Sequence, residues 1–513
     1  MTDTALTDIP VTVVTTDETS TAGAIRSCFP PSPTGNLHVG GARSALFNWL
    51  AARSTGGQFI LRIEDTDRTR LKEGSLDSIK DGLRWLGLQW DEGPEVGGPV
   101  GPYVQSERLP LYGEYARRLL DSGDAYEDFE PPPPPGAPPT PSTATPFRAH
   151  RDLTPEERDA RRDAYAAAHG RQPAVRLKLP LSGEITVHDQ IRGTITWQFK
   201  DVPADPVLLK GDGFPTYHLA EVVDDHLMNR NVVLRADEWL PSTPIHAHLF
   251  RSFGVAEPLF CHLPLVTGVD GKKLSKREGS TAVQEYREQG LLPEALVNYL
   301  CLLGWAYGDD IEYFTKEEAA TRFRVADIRP APSKWDMDKL LSVNAHYINH
   351  VLTLDEFVER SLPFLEKAGV RAAEYAPDYM RDVLALEKER AKVLGEVPDL
   401  TEYFFRDPPT DAAMLDLLRK EAREQAQATK MLEAAFEALS GVRWDDHEAF
   451  TSALDTVNAL FGAKKRVAFM LVRIAVSGRV ATPDLGTTLH VLGLERVNRR
   501  LRATLQALEG SKA

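Results

Sequence analysis

A histidine and two glycines stand where a short apolar run gives way to a helical pattern, within residues 29–50, FPPSPTGNLHVGGARSALFNWL. The prolines end the strand, and a helix that opens near Gly40 would present backbone amides and the positive end of its dipole. Gly40 and Gly41 leave room for a phosphate or a flat ring beside the backbone, and His38 follows Thr34 by four residues. These residues predict a phosphate site that is neither GxGxxG nor a Walker A loop. A structural turn without a ligand is the alternative.

A second stretch, GVDGKKLSKREGS, gathers positive charge far downstream of the first. Lys272, Lys273, Lys276 and Arg277 crowd a loop that glycines make mobile. A solvated run of charge is the alternative interpretation. A mobile cationic loop paired with a helix N-terminus would suit in-line transfer at a phosphate, where catalysis consists of positioning and electrostatic stabilisation.

The elements that must position these residues follow from periodicity. Residues 24–120 alternate apolar runs with amphipathic helical patterns, which favours βαβ units and a parallel sheet. We expect a catalytic α/β domain over 24–104 and 215–269 and an inserted domain over 105–214. The proline-rich segment 130–146 is irregular or polyproline-like. Residues 270–353 form a connecting region, 354–513 an all-helical domain, and 1–23 a disordered extension.

Composition limits the classes of protein that fit. No apolar run reaches the ~18 residues that a membrane span needs, and the N-terminus lacks the features of a signal peptide. The three cysteines, at positions 28, 261 and 301, form no CxxC pair, so we expect no disulfide framework and a cytoplasmic protein. The net charge of −15 disfavours indiscriminate nucleic-acid binding but leaves room for local basic patches.

The two stretches together resemble a known class of enzymes. HVGG and KLSKR, in this order, resemble the HIGH and KMSKS motifs of class I aminoacyl-tRNA synthetases. RIEDTDR, WLGLQWDEGP, DGFPTYHLAEVVDDHLM and LRADEWLPSTP resemble the bacterial glutamyl-tRNA synthetase family in particular, from about residue 24 to the C-terminus. The resemblance implies a Rossmann-type catalytic domain and an ATP-dependent, Mg²⁺-assisted ligase. Its partners would be glutamate and tRNA(Glu), and its activation step would need tRNA. We expect it to be a monomer.

The resemblance also implies site residues. Those expected to act in catalysis are His38, Lys273, Ser275, Lys276 and Arg277. Those expected at ATP are Pro31, Thr34, Gly35, His38, Gly40, Gly41, Glu238, Leu274 and Lys276. The amino-acid pocket would contain Ser32, Glu64, Tyr217, Glu221, Arg235 and Trp239. Within it, Glu64 would pair with the α-ammonium, and Arg235 would bind the side-chain carboxylate, a bidentate task that suits arginine.

The inserted domain would receive the tRNA acceptor end, residues 270–353 would carry the KMSKS-like loop and contact the tRNA stem, and the helical domain would contact the anticodon. Arg390 matches an anticodon-contacting arginine of the family, with an ordinary exposed charge as the alternative. Two local basic clusters fit phosphate contacts. They contain Lys464, Lys465, Arg466 and Arg473, and then Arg496, Arg499, Arg500 and Arg502.

Three departures from the family are visible. The insertion lacks the cysteines that bind zinc in some members, so we predict no zinc and no other protein-bound metal. Glu221 stands where a neutral residue is expected, and a carboxylate there must be paired or point away. Cys28 stands where the family usually has a glutamate-binding arginine. Arg26 shares its strand face and is a possible substitute.

These departures keep alternative functions open. A paralogue with a shifted amino-acid specificity, or one that supplies glutamyl-tRNA to a biosynthetic pathway, would explain Cys28 and Glu221. A catalytically inactive tRNA-binding protein is the alternative from another class. The intact HVGG and KLSKR stretches argue against it.

Overall fold

The computed structural model describes residues 23–131, 148–202, 205–268, 270–272, 274, 282–308, 310–444, 447–464 and 466–510. The strands are β1 (Arg26–Phe29), β2 (Gln58–Leu61), β3 (Ala125–Asp128), β4 (Ala174–Leu177), β5 (Glu184–Asp189), β6 (Gly193–Gln198), β7 (Val207–Leu209), β8 (Val232–Ala236), β9 (Leu259–Leu263), β10 (Val266–Thr267) and β11 (Ser333–Lys334). The helices of the first part are α1 (Val39–Ser54), α2 (Ser75–Trp85), α3 (Leu109–Ser122), α4 (Pro155–His169), α5 (Tyr217–Leu227), α6 (Thr243–Ser252), α7 (Val283–Gln289), α8 (Pro293–Leu302) and α9 (Lys316–Arg322). The remaining helices are α10 (Met337–His346), α11 (Leu354–Lys367), α12 (Pro377–Glu387), α13 (Val397–Phe405), α14 (Ala412–Ala422), α15 (Gln425–Ser440), α16 (His447–Leu460), α17 (Val467–Ser477), α18 (Leu485–Leu492) and α19 (Leu494–Gly510).

Two parallel strand pairs form the centre of the catalytic domain. In the first pair β1 runs beside β2, with Cys28 opposite Ile60. In the second β8 runs beside β9, with Arg235 opposite His262. Helix α1 packs on β1, β2 and β8, so the strands are covered and their residues are almost continuously buried. This arrangement brings the carboxyl ends of β1, β2 and β8 to one edge.

A β-hairpin from inside the predicted insertion extends this sheet. Strands β5 and β6 are antiparallel, and Asp189 at the end of β5 pairs in parallel with Phe260 of β9. Alternate residues of β5 are buried, as expected for a strand with one solvent-exposed face. The stretch 184–198 therefore adds strands to the catalytic sheet, although the sequence prediction placed it in the inserted domain.

The rest of the predicted insertion contains a small antiparallel sheet of its own, in the order β3-β4-β7. Helix α4 begins at a capping box, in which Thr154 and Glu157 satisfy each other's backbone amides. Most of the proline-rich segment, residues 132–146, lies outside the described residues, as do residues 1–22 of the expected extension.

The chain divides into two compact units, which we describe separately. One contains the sheets and ends near Met337, apart from a short excursion at Arg287–Leu292, and the other contains that excursion and Asp338–Ala513. The second unit is helical, and a large apolar core that includes Phe404, Leu432 and Leu471 holds it together. An α/β part followed by a helical part was predicted, and this fold class is confirmed. Within the described residues, none of the helices has the length and apolar character of a membrane span.

Candidate active site

A cavity of about 840 Å³ lies at the carboxyl ends of β1, β2 and β8. Ligands bind at this edge in open α/β sheets. The predicted site residues that line it are Ser32, His38, Gly40, Gly41, Glu64, Tyr217, Glu221, Arg235, Glu238, Trp239 and Leu274. Residues predicted from distant parts of the sequence therefore meet at one place.

The N-terminus of α1 forms one wall of the cavity. His38 is the N-cap residue, with extended backbone, and its side chain does not accept a hydrogen bond from the first helical amides. A Cβ atom built on Gly40 would meet no atom within 4 Å, whereas one on Gly41 would touch Leu37 at 3.5 Å. A flat or anionic group can thus reach the backbone at Gly40, where the helix dipole favours negative charge.

Arg235, near the end of β8, is buried and lines the cavity. Its five acceptors are His262 Nε2 (3.0 Å), the Tyr217 hydroxyl (3.0 Å), His246 Nδ1 (3.1 Å), Thr243 Oγ1 (3.0 Å) and the Trp239 carbonyl (3.4 Å). All of these acceptors are uncharged. Across the residues that the structure describes, no carboxylate forms an ion pair with Arg235. A buried cation in this setting is suited to an anionic ligand.

Two imidazole chains fix the direction in which Arg235 points. The Nδ1 atom of His262 lies 2.6 Å from Asp189 Oδ2, so the proton sits on Nδ1 and Nε2 accepts from Arg235. His246 Nε2 lies 3.2 Å from His218 Nδ1, which leaves His246 Nδ1 as an acceptor. Burial lowers the pKa of His262 and His246 and brings the pKa of His218 to about 4. The imidazoles are therefore neutral near pH 7 and add no charge that could compete with a ligand carboxylate.

Aromatic rings close the side of the cavity next to Arg235. The ring centroids of Tyr217 and Trp239 lie 4.4 Å apart, and Trp239 is 40% exposed toward the opening. Burial raises the pKa of Tyr217, so its hydroxyl stays protonated as it accepts from Arg235. These rings form the part of the cavity wall next to the guanidinium.

Two carboxyl groups that line the cavity, Glu64 and Glu221, share one arginine. Arg62 Nη2 donates to Glu221 Oε2 at 2.6 Å and to Glu64 Oε1 at 3.3 Å, and Arg230 Nη1 donates to Glu221 Oε1 at 2.9 Å. Burial alone would raise the pKa of Glu221, but Arg62 and then Arg230 hold that pKa below its usual range. Burial, followed by the proximity of Glu221, raises the pKa of Glu64 well above its usual value. Glu64 is thus placed to gain from a cationic ligand group.

Comparison with known proteins supports the motif assignments. A family model described as tRNA synthetases class I (E and Q), catalytic domain, matches residues 24–342, and one described as an anticodon binding domain matches residues 331–505. The glutamate–tRNA ligase of Herpetosiphon aurantiacus is 42% identical, over 95% of this chain and 98% of that protein. That of Thermus thermophilus is also 42% identical, over 93% of this chain and 98% of its own length. The chain belongs to the glutamate–tRNA ligase family.

A solved structure agrees with this assignment. The crystal structure of a glutamate tRNA ligase from Elizabethkingia meningosepticum in complex with its amino acid is similar, with a TM-score of 0.79 and 29% identity. The similarity covers 94% of this chain and all of that one. The family fold therefore extends over both the sheet-containing and the helical parts of this glutamate–tRNA ligase relative.

Cys28, one of the departures from the family, was expected in the amino-acid pocket but lies elsewhere. Cys28 does not line the cavity, because its side chain is buried against Ile60, Tyr103 and Met228. Burial raises the pKa of Cys28 to about 12, so the thiol is neutral. Position 28 lies beneath the pocket floor in this member of the glutamate–tRNA ligase family.

Arg26, the possible substitute for the missing arginine, does not line the cavity. Arg26 Nη1 donates to Glu92 at 2.8 Å, and its Nε atom donates to the Met228 carbonyl at 3.1 Å. These partners lie at the amino end of β1, whereas the cavity lies at its carboxyl end. Arg26 shares a strand face with Cys28, but tertiary contacts direct its side chain away from the ligand.

The loop that resembles KMSKS is described only in part. Leu274 lines the cavity and its amide donates to the Val266 carbonyl at 3.3 Å. The four expected catalytic residues at positions 273 and 275–277, Lys273, Ser275, Lys276 and Arg277, lie outside the described residues. Pro31, Thr34 and Gly35 are described in the turn before α1, where the Thr34 amide donates to the Ser32 carbonyl, but they do not line the cavity.

The motif arguments passed over several charged residues that the structure brings to the site. Arg43, Asp67, Arg70 and Lys210 line the cavity, and Arg62 lies beneath it. Four of them stand in or beside quoted stretches, Arg43 after HVGG and Arg62, Asp67 and Arg70 at RIEDTDR, so proximity to a motif was the available signal. Lys210, which directly follows strand β7, stands two residues before the quoted stretch that begins at Asp212, so it had the same signal.

The arginines of the helical unit that were predicted to contact tRNA differ in exposure and in their partners. Arg390 is about one-third exposed and pairs with Glu387 at 2.7 Å. Arg500 is buried and donates to the carbonyls of Val476 and Tyr403, so it cannot form the phosphate contact assigned to its cluster. Arg499 is exposed but already paired with Asp407 at 2.9 Å.

No group of three metal-ligating side chains occurs within the described residues. The three cysteines are buried and unpaired. That this family member binds no zinc stays a prediction.

Proposed function

We propose that this protein activates L-glutamate with ATP and transfers it to the 3′ end of tRNA(Glu). In the first step an oxygen of the substrate α-carboxylate attacks the α-phosphorus of ATP. The bond from that phosphorus to the bridging oxygen breaks, and pyrophosphate leaves with the bonding electrons. In the second step a hydroxyl of the terminal ribose of tRNA attacks the adenylate carbonyl, loses its proton and displaces AMP.

One observation carries the preference for glutamate, namely the buried Arg235 with only neutral acceptors around it. A side-chain carboxylate would supply the missing counter-charge, while the amide of glutamine would not. Glu64 lines the same cavity and would pair with the α-ammonium. Ser32, Tyr217 and Trp239 would complete the walls of this subsite.

ATP would bind at the N-terminus of α1. The open space at Gly40 would accept the nucleotide beside the backbone, and His38 would stabilise charge on the phosphates as pyrophosphate leaves. Glu238 lines the same cavity and would contact the nucleotide. From the motif resemblance we expect Lys276, with its neighbours Lys273, Ser275 and Arg277, to close over the phosphates.

Mg²⁺ would enter with ATP as its phosphate-bound counter-ion. We assign it no protein ligands, and we propose a protein that holds no zinc. We also propose a monomer that works in the cytoplasm, where tRNA and ATP are found. The inserted domain would receive the acceptor end of tRNA, and the helical unit, with Arg390, would contact the anticodon.

Two observations weigh against the alternative functions. Glu221 is neutralised by Arg62 and Arg230, so it does not exclude an anionic substrate from the pocket. The HVGG stretch and its cavity argue against an inactive tRNA-binding protein. The test is amino-acid-dependent pyrophosphate exchange with a panel of amino acids, with and without tRNA(Glu). We expect exchange with glutamate that needs tRNA. Faster exchange with another amino acid would replace this proposal by that of a paralogue.

A further inference from the structure

Two positions that depart from the family, Cys28 and Glu221, meet at a single side chain. Arg230 leaves the turn between α5 and β8 and is 4% exposed. Its Nη2 atom donates to the Cys28 carbonyl at 3.3 Å, and its Nη1 atom donates to Glu221 Oε1 at 2.9 Å. No sequence motif pointed to Arg230, yet it contacts both departures at once.

The guanidinium of Arg230 is fixed on every side. Its Nε atom donates to the Val232 carbonyl at 3.1 Å, and its Nη1 atom also donates to Asp225 Oδ1 at 3.0 Å. Arg230 does not line the cavity, so it cannot touch the amino acid directly. It acts through Glu221, which does line the cavity.

The charge beneath the pocket depends on this contact. The two oxygens of Glu221 accept from different arginines, Oε2 from Arg62 and Oε1 from Arg230, and both arginines also donate to Asp225. Without Arg230, Arg62 alone would have to neutralise the two buried carboxylates Glu221 and Asp225 while it also donates to Glu64. The uncompensated negative charge would then repel a substrate whose side chain carries a carboxylate.

The space around position 28 links the two departures. The small thiol of Cys28 is buried in the same cluster as Ile60 and Met228, and its surroundings include the charges of Arg62 and Arg230. An arginine at position 28 would bring a third cation and a longer side chain into this closed region. The region therefore accommodates a cation from position 28 or one from position 230, but not both.

We propose, resting on the function proposed above, that Arg230 is a specificity-determining positioning residue. It supplies the buried positive charge that position 28 lacks, and it holds Glu221 neutralised and away from the amino acid. In this way the protein accommodates an extra carboxylate beside the pocket and still accepts an acidic substrate.

The test compares Arg230→Met, Cys28→Arg and the double variant in tRNA-dependent exchange. We expect Arg230→Met to raise the KM for glutamate about 10–100-fold and to lower the glutamate-to-glutamine ratio of kcat/KM, with the KM for ATP within about twofold. Cys28→Arg alone should lower the melting temperature, because it adds a third cation. In the Arg230→Met background the same change should instead recover glutamate selectivity. Arg53→Met, which breaks an exposed pair with Asp91, is the matched control.

A merely structural role for Arg230 would change stability and all kinetic constants together, and Cys28→Arg would then be harmful in both backgrounds. That result would overturn the proposal, as would a folded Arg230→Met with unchanged selectivity for glutamate. If Arg230→Met alone does not fold, the double variant decides. A folded, glutamate-selective double variant supports relocation of the charge, and an unfolded or unselective one contradicts it. A wild-type protein that does not prefer glutamate would instead refute the proposed function.

Discussion

Arg235 supplies the positive charge that would select the side chain of the substrate. It is a buried cation whose acceptors are a hydroxyl group of tyrosine, one of threonine, two imidazoles and a backbone carbonyl, none of them charged. A site of this kind gains most from a ligand that brings its own negative charge. The two neighbouring carboxyl groups differ in how far they are neutralised. Glu221 pairs with Arg62 and Arg230, whereas Glu64 pairs only with Arg62, which it shares with Glu221.

Replacing this cation should reduce the preference for an acidic side chain. We expect Arg235→Gln to lower kcat/KM for glutamate by at least about 100-fold, because the buried positive charge that would attract the side-chain carboxylate is lost. Activity with glutamine should fall much less. Steady-state kinetics with both amino acids give the answer, with Arg53→Gln on the surface as a control. An unchanged ratio between the two amino acids would show that the side-chain carboxylate binds elsewhere.

The pH dependence of glutamate binding should report on Glu64. Pairing with an ammonium group needs the ionised carboxylate, but burial and then Glu221 raise the pKa of Glu64 in the free protein. Below that pKa the substrate must displace a proton, so the KM for glutamate should rise as the pH falls, by up to about tenfold per pH unit. Glu221→Gln should move this rise to lower pH. A KM for glutamate that does not rise as the pH falls would contradict this role.

At the scale of elements, the hairpin β5–β6 supplies the support for Arg235. Asp189, the last residue of β5, pairs with β9 and accepts a hydrogen bond from the Nδ1–H group of His262. The hydrogen bond from His262 lowers the pKa of Asp189 even though burial opposes this. Strand β5 therefore carries an ionised group that fixes the tautomer of His262, and His262 in turn accepts from Arg235.

Breaking the hydrogen-bond chain from Asp189 through His262 to Arg235 should weaken glutamate binding, although Asp189 does not line the cavity. Asp189→Asn places an amide donor beside His262 Nδ1, so the proton moves to Nε2 and faces the Nε–H of Arg235. We expect the KM for glutamate to rise about 10–100-fold, with the KM for ATP unchanged. His188→Gln, on the exposed face of the same strand, is the control. Equal effects of the two variants on both substrates would indicate a general loss of sheet stability instead.

The elements also show which parts of the fold could be predicted from the sequence. The strand–turn–helix at residues 26–54 followed from local signals, namely an apolar run, prolines, glycines and then helical periodicity. The membership of β5 in the catalytic sheet did not, because its pairing with β9 joins residues about seventy positions apart. Side-chain direction was equally hard to predict. Alternation placed Arg26 and Cys28 on one face correctly, but only the contact with Glu92 decides where the guanidinium ends.

At the scale of the whole molecule, the α/β unit and the helical unit are built differently and carry different parts of the proposed function. The family models match both, one over 24–342 and the other over 331–505. In the helical unit the local pairing of arginines matters more than their number, since Arg499 and Arg500 are both engaged with Asp407. Arg390 remains partly exposed and is the better candidate for a contact with tRNA.

Removing this arginine should affect tRNA but not the amino acid. We expect Arg390→Ala in the full chain to weaken tRNA(Glu) binding about 5–10-fold, as for the loss of one nucleic-acid contact, with the KM for glutamate at saturating tRNA unchanged. Arg381→Ala, which removes another exposed arginine of the same unit, is the matched control. Filter binding at fixed salt measures the affinity. Equal losses in both variants would mean that only the overall charge of the helical unit matters.

The most direct measurement identifies the amino acid that the protein attaches to tRNA. Purified full-length protein is incubated with MgATP, tRNA(Glu) and an equimolar mixture of the twenty amino acids, and the charged product is analysed by mass spectrometry. We expect glutamate to be the main amino acid esterified to the 3′ end, with glutamine and aspartate at most minor products, because Arg235 needs a carboxylate at the distance that glutamate provides. A product dominated by any other amino acid would contradict the assignment of the pocket.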